Sequence, residues 1–327
     1  MKEGSVPLIE FDGNKYETKP DETVLDCLTR FDCPPPSSCR SGLCHTCMMR
    51  ATEGTPPESS QQGLKETLQQ QNYFLACSCI PTEDLTVALA DSSAAPHFEA
   101  TVLEKNLLTP VILQLRLSVP EGFSYIPGQF LNVFRDEHLT RSYSIASVPA
   151  LEKVIELHVE RIKDGKMSGW LFGELNVGDT LQLSEPLGEC YYLSGNPEKN
   201  LMMVATGSGL APLYGVLRDA LNQGHQGDIY LYHGSENPEK IYLQDELEKL
   251  AKLHANLHYK PCISGDGADG NIKDRANEIA LDTHKNLKDW RIYLCGHPLM
   301  VADTKRRAFL SGASLNDIFA DPFEFSS

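Results

Sequence analysis

Three cysteines within the eleven residues SSCRSGLCHTC restrict what this chain can fold around more than any other feature. Cys39, Cys44 and Cys47 follow a Cys-x4-Cys-x2-Cys spacing, the ligand loop of a [2Fe–2S] cluster, which a distant fourth thiolate closes. Iron needs soft anionic ligands, and short spacers let one loop aim three sulfurs inward. Arg40, Gly42 and the loop amides are placed to hydrogen-bond those sulfurs and tune the potential. Structural zinc more often uses tight Cys-x2-Cys pairs, which favours iron over zinc or a set of unrelated buried cysteines. The fourth ligand falls in YFLACSC, where Cys77 and Cys79 are both open; His45 is expected to face solvent.

A chain of 327 residues suggests two or three domains, each with its own core. The N-terminus shows no cationic start followed by an apolar stretch, so the ten cysteines point to a reducing cytoplasm rather than to secretion. No apolar run approaches the ~20 residues that span a bilayer, and integral membrane association is not expected. The net charge of −16 argues against a nucleic-acid partner. Residues 1–90 hold 13 Asp/Glu against 7 Lys/Arg, an acidic balance that suits docking onto a basic redox partner or serves solubility.

Three segments differ in hydrophobic period. The first opens with VPLIEF, an Asp12-Gly13 turn and a second strand, a hairpin signal. Asp21 is the expected cap of a helix whose apolar residues are Val24, Cys27, Leu28 and Phe31. The cluster loop and a closing strand LTVAL complete an α+β unit, and ADSSAAP (Ala90 to Pro96) reads as a linker. In the second segment Val111, Leu113, Leu115, Leu117 and Val119 alternate with polar residues, VIELHVER does likewise, and turn signals punctuate short strands, which predicts an antiparallel barrel. From about Gly195, strands alternate with helices: LMMVA and a helix from Ala211, DIYLYH and YLQDELEKL, then RIYLC and another helix. That order predicts a doubly wound parallel sheet.

LMMVA runs into Thr206-Gly207-Ser208-Gly209-Leu210-Ala211-Pro212, where glycines and a helix N-terminus suit a pyrophosphate, although the third Rossmann glycine is missing. Cys295-Gly296-His297-Pro298 sits at a strand's carboxyl end, where ligands of open α/β sheets lie; Cys295 there faces a bound ring or is buried structurally. In the barrel segment, Arg141, Ser142, Tyr143 and Ser144 combine a guanidinium for phosphate, a ring for stacking and a hydroxyl for a flavin. Gly165-Lys166-Met167-Ser168 reads as a second phosphate-binding turn at a helix start.

Taken together and in order, SSCRSGLCHTC, YFLAC, PGQF, RSYS, GKMSGWL, TGSGLAP, YLCGHP and FADPF resemble the NADH-dependent reductase components of bacterial multicomponent oxygenases, such as the benzoate dioxygenase and soluble methane monooxygenase reductases. These belong to the wider ferredoxin–NADP reductase superfamily. The resemblance implies a multidomain chain: a plant-type β-grasp ferredoxin at 1–92, an FAD-binding antiparallel β-barrel at 97–195 and an NAD(P)-binding doubly wound domain at 196–327. It implies cluster ligands Cys39, Cys44, Cys47 and Cys77, and flavin contacts from Arg141, Tyr143, Ser144, His158, Val159, Lys166, Met167 and Ser168. Gly207, Gly209 and Pro212 would form the nicotinamide-dinucleotide loop, with Cys295, Gly296 and Pro298 beside the nicotinamide. Ser144, Cys295 and Asp321 would position the ring for hydride transfer, and Phe323 would cover the flavin or pack the last strand. Relatives commonly end in Glu-x-Phe, whereas this chain has the shorter Asp321 followed by Pro322. Glu236 stands where an arginine would welcome a 2′-phosphate, which favours NADH over NADPH. The implied activity carries electrons from NADH through FAD to the [2Fe–2S] cluster and on to a partner oxygenase, by a monomer. Alternatives are another acceptor, such as a deoxysugar dehydrase, or a redox-sensing subunit without nicotinamide turnover.

Overall fold

The structure, a computed structural model, describes residues 6–42, 44–90, 97–136, 138–265 and 275–323. Of the expected linker, Ala90 to Pro96, residues 91–96 lie outside the described residues, and Ala90 packs against the core of the first unit. Two compact units divide at residues 93 and 94.

In the first unit, β1 (Leu8–Phe11) and β2 (Asn14–Glu17) form the predicted hairpin, with Asp12 and Gly13 both at positive φ. Two left-handed central residues match the twist of paired strands, which is why Asp-Gly suits this turn. Helix α1 (Val24–Arg30) follows, capped by Thr23 rather than Asp21: the Thr23 hydroxyl accepts the Asp26 N–H at 3.1 Å, while Asp21 is itself left-handed. Val24, Leu25, Cys27 and Leu28 are buried, but Phe31 is the C-cap and lies outside the core, against Tyr16. Strands β3 (Met48–Glu53) and β4 (Tyr73–Leu75), short helix α2 (Glu66–Gln70) and β5 (Leu85–Leu89) complete a five-stranded sheet ordered β2-β1-β5-β3-β4, with β1 and β5 parallel.

The second unit begins with a barrel. Strands β6 (Phe98–Thr109), β7 (Ile112–Leu117), β8 (Phe130–Asp136), β9 (Leu139–Ser144), β10 (Ile155–Glu160) and β11 (Thr180–Leu183) run in the order β10-β7-β6-β11-β8-β9, all antiparallel. A bridge between Ile145 and Leu157 joins the outer strands and closes the barrel. Helix α3 (Lys166–Gly173) lies between β10 and β11 in the chain. The period-two prediction holds for β7, yet on β10 the polar positions Glu156 and His158 are as buried as their apolar neighbours.

The parallel sheet explains that. Strands β12 (Leu201–Thr206), β13 (Ile229–Ser235), β14 (Leu257–Ile263), β15 (Arg291–Gly296) and β16 (Ile318–Pro322) are ordered β14-β13-β12-β15-β16. Helices α4 (Leu210–Asn222), α5 (Gln244–Leu253), α6 (Ala276–Thr283) and α7 (Pro298–Leu310) connect them. Alternate residues of β12 enter two cores, Met203 and Ala205 with α4 on one face, Met202 and Val204 with α6 and α7 on the other. Barrel residues Ile112 and Ala146 pack into the α4 core, so barrel and sheet share one apolar cluster. No helix among the described residues is long and apolar enough to cross a membrane.

The closest approach in this junction falls at Gly128, φ 98°, where an added Cβ would lie 2.2 Å from the Cys190 carbonyl oxygen. Gly128→Ala therefore combines a left-handed backbone with a backbone clash and should destabilise the second unit by about 2–4 kcal/mol. An unchanged midpoint in urea unfolding would show that the junction yields at no cost.

Candidate functional site

The cluster loop is turned by three left-handed residues, Arg40, Gly42 and His45, which fold it back on itself. Cys39 Sγ accepts the Ser41 and Cys44 amides, each at 3.4 Å, and Cys44 Sγ accepts the Cys39 amide at 3.5 Å. Ser41, through its hydroxyl and amide, and then Cys44 hold the Cys39 thiol far below its usual range, at about 5. Cys47 and Cys77 hydrogen-bond each other, and burial pushes the Cys47 thiol up to about 11. The four cysteines thus stand as two pairs, and among the described residues no three His, Cys, Asp or Glu side chains form a single metal-ion group. Two thiols for each of two irons is what a binuclear cluster requires, and amide donors on sulfur fit it. Cys79 is fully buried in the core with Ser60 beside it, its thiol pushed up to about 12 by burial; His45 is exposed.

In the second unit a cleft of about 1560 Å³ opens between barrel and sheet. Its walls include Arg141, Ser142, Tyr143 and Ser144 from β9, His158 from β10, the turn Gly165-Lys166-Met167-Ser168, and Asp321 and Phe323 from the last strand. Arg141 and Lys166 are exposed cations able to meet phosphate. Ser168 is engaged locally: its hydroxyl accepts the Ile162 amide at 3.1 Å, and Met167 packs into the barrel core even as it borders the cleft. Val159 belongs to the barrel core and does not line the cleft, because period two turns it opposite to His158 and Glu160.

At the junction Ser144 donates to Asp321 Oδ2 at 3.0 Å, tying the barrel to the sheet. Burial raises the Asp321 carboxyl to about 6, and the Ser144 bond draws it the other way. Asp321 pairs in register with Cys295, and the Phe323 amide donates to the Gly296 carbonyl at 2.8 Å. Cys295 does not face open space: it is fully buried, 3.4 Å from the Cys190 thiol, because its side chain joins the α4 core. Burial and Cys190 push its thiol well above the ordinary range.

The dinucleotide loop differs from expectation in its reason for glycine. A Cβ on Gly209 would lie 2.3 Å from the Cys295 carbonyl, so this glycine lets α4 start against β15. Thr206 Oγ1 accepts the His297 amide at 2.9 Å, locking the two strand ends together. Pro212 is buried in the first turn of α4, and Pro298 opens α7 behind the His297 cap. Glu236 is exposed at the end of β13, with Lys240 3.7 Å away.

Three groups escaped sequence reasoning. Glu156, buried, bonds Arg116 at 2.8 Å and His158 at 2.9 Å, and His158 reaches the Tyr242 hydroxyl at 3.3 Å. Burial acts to raise the Glu156 carboxyl, but the bonds to His158, Gln114 and Arg116 outweigh it and bring it to about 2. Glu160, two residues beyond His158, lines the cleft and contacts Ser208; the same alternation that marked His158 could have found it. Cys190, partner of Cys295, carries no local signal.

A cysteine loop with paired thiols in the first unit, and in the second a closed barrel and a parallel sheet that meet at a cleft, define an oxidoreductase class that combines iron–sulfur, flavin and nicotinamide binding. Residues 9–82 match the family described as 2Fe-2S iron-sulfur cluster binding domain, 99–192 the Oxidoreductase FAD-binding domain and 203–306 the Oxidoreductase NAD-binding domain. The chain is 30% identical to the ferredoxin–NAD(P)(+) reductase component of the naphthalene 1,2-dioxygenase/salicylate 5-hydroxylase systems of Ralstonia sp., over 92% of this chain and 93% of that one. It is 28% identical to the phenol hydroxylase P5 protein of Acinetobacter pittii, over 96% and 93%. The crystal structure of the Amycolatopsis cytochrome P450 reductase GcoB superposes with a TM-score of 0.67 at 25% identity, covering 97% of this chain and 98% of that one. The chain belongs to the family of three-domain ferredoxin–NAD(P)+ reductase components of oxygenase systems, and is a flavin-dependent NAD(P)H oxidoreductase.

Because folding holds the Asp321 proton up to about pH 6, well above its unfolded range, this carboxyl stabilises the protein as pH falls from about 6 towards 4 and costs stability above 6. Asp321→Asn keeps an acceptor for Ser144 and should gain about 1–2 kcal/mol at pH 8, fading to nothing near pH 4, when urea unfolding is followed against pH. A pH-independent difference would mean the carboxyl is not raised.

Proposed function

We propose that this chain takes electrons from NADH into FAD, passes them to a [2Fe–2S] cluster, and delivers them to a partner oxygenase as a cytoplasmic monomer. The observation that carries the reading is the Ser144–Asp321 bond at 3.0 Å, which brings the flavin strand and the C-terminal strand to one cleft. When bound, flavin accepts a hydride and releases single electrons, which links a two-electron donor to a one-electron cluster.

The chain's own residues bind and orient. Arg141 from β9 and Lys166 from the start of α3 meet phosphate charge in the cleft. Ser144 and Asp321 fix one another, so that a hydroxyl and a carboxyl present a set geometry to the reacting rings. Cys295 backs that geometry from the core, in register with Asp321. Cys39 with Cys44 and Cys47 with Cys77 supply the cluster thiolates, and the buried Cys79 does not. Glu236 supports NADH over NADPH, its charge partly offset by Lys240.

Stopped-flow mixing of the loaded protein with NADH should bleach the flavin, faster than NADPH does, and Ser144→Ala should slow that step by about ten- to a hundredfold. No bleaching would end the reductase reading. For the cluster, Cys77→Ala should abolish bound iron and the cluster's part of the visible absorbance, leaving the flavin's, whereas Cys79→Ala retains iron and cluster absorbance; the reverse pattern would reassign the fourth ligand.

A further inference from the structure

Ser208 stands where β12 passes into α4, and its donors are already taken. Glu160 Oε2 accepts the Ser208 hydroxyl at 3.0 Å and the Ser208 amide at 3.4 Å. The same oxygen lies 3.0 Å from the point a Cβ on Gly207 would occupy, so the carboxylate is packed onto the loop. Glu160 and Ser208 both line the cleft. The strand that carries Glu160 is held firmly, since His158 on the same face is fixed by Glu156 at 2.9 Å and Tyr242 at 3.3 Å. An anion resting on a hydroxyl and an amide at a helix start is the arrangement a phosphate adopts.

We propose that Glu160 is a specificity-determining residue: an internal anion that occupies Ser208 and that the pyrophosphate of an incoming dinucleotide must displace. This rests on the reading of the loop from Gly207 to Pro212 as the nicotinamide-dinucleotide loop. Displacement breaks two hydrogen bonds and leaves a carboxylate near the pyrophosphate charges, so the dinucleotide binds less tightly than the loop alone would allow. The repulsive part is screened by salt. A nucleoside without phosphate meets no such competition, so Glu160 discriminates by phosphate charge rather than by the base.

Glu160→Gln preserves shape and an acceptor for Ser208 while removing the charge. Isothermal titration of the FAD- and cluster-loaded protein would use ADP-ribose and adenosine as probes, at low and at physiological salt. ADP-ribose should bind the variant about three- to tenfold more tightly, with the gain shrinking as salt rises, and adenosine affinity should not change. In a Ser208→Ala background the same substitution should gain clearly less, since the contested donor is gone. Unchanged or weaker ADP-ribose binding, or an equal gain for adenosine, would overturn the proposal. Wild-type protein that binds neither ADP-ribose nor NAD+ overturns the dinucleotide reading and the proposal together. Wild-type protein that binds both and is reduced by NADH, with no tightening in the variant, overturns the proposal alone. Far-UV circular dichroism and the flavin spectrum establish that each variant is folded.

Discussion

The second unit depends on a barrel strand that has no wet side. β10 turns Ile155, Leu157 and Val159 into the barrel core and would ordinarily show Glu156 and His158 to solvent. Here the parallel sheet's module covers them, and an uncompensated buried carboxylate would be prohibitive. Arg116 and His158 bind both carboxylate oxygens, and Tyr242 closes the chain from the sheet's side. The polar chain thereby fixes how barrel and sheet meet, and with it the cleft that their meeting creates.

Other contacts in that junction repeat the logic with different chemistry. Ile112 and Ala146 share an apolar cluster with Val216 and Leu213 of α4, and Arg218 pairs with Glu152. Ser144 and Asp321 add a bond at the cleft itself, where burial keeps the carboxyl more easily protonated than an exposed one. The site's two halves are therefore set against each other by packing at the rear and by directed hydrogen bonds at the mouth. This is the way a hydride donor and acceptor can be held at fixed separation.

What was legible in the sequence was what is local. The Cys-x4-Cys-x2-Cys spacing, the Asp12-Gly13 hairpin and the alternation in β7 each depend on neighbours within a few residues, and the structure shows a turned loop, a left-handed turn and a half-buried strand there. The three-layer order followed from the change of period along the chain. What failed to be legible needed a partner from far away. Nothing near Cys295 announces Cys190, 105 residues earlier in the chain, so a thiol that the sequence leaves between facing a ring and structural burial lies in a core. Gly209 looked like a phosphate-loop glycine and serves first to let α4 touch the Cys295 carbonyl. Glu160 shares the β10 face that His158 marks, so the alternation did hold it, and only the distant contact with Ser208 gives it a role. Asp21 lost the cap to Thr23 because its backbone was already committed to a left-handed turn.

A strand buried on both faces also sets how the second unit comes apart. Peeling the sheet from the barrel would expose Glu156, His158 and Ile112 at once, leaving the barrel with a charged, half-desolvated seam and the α4 core with a gap. The barrel and the α6/α7 face of the sheet each keep a core of their own, but the α4 core is built from both halves, so opening at the cleft can involve side chains and loop ends while parting the halves uncovers the α4 face. Barrel and sheet are two folds by topology, joined through one shared core.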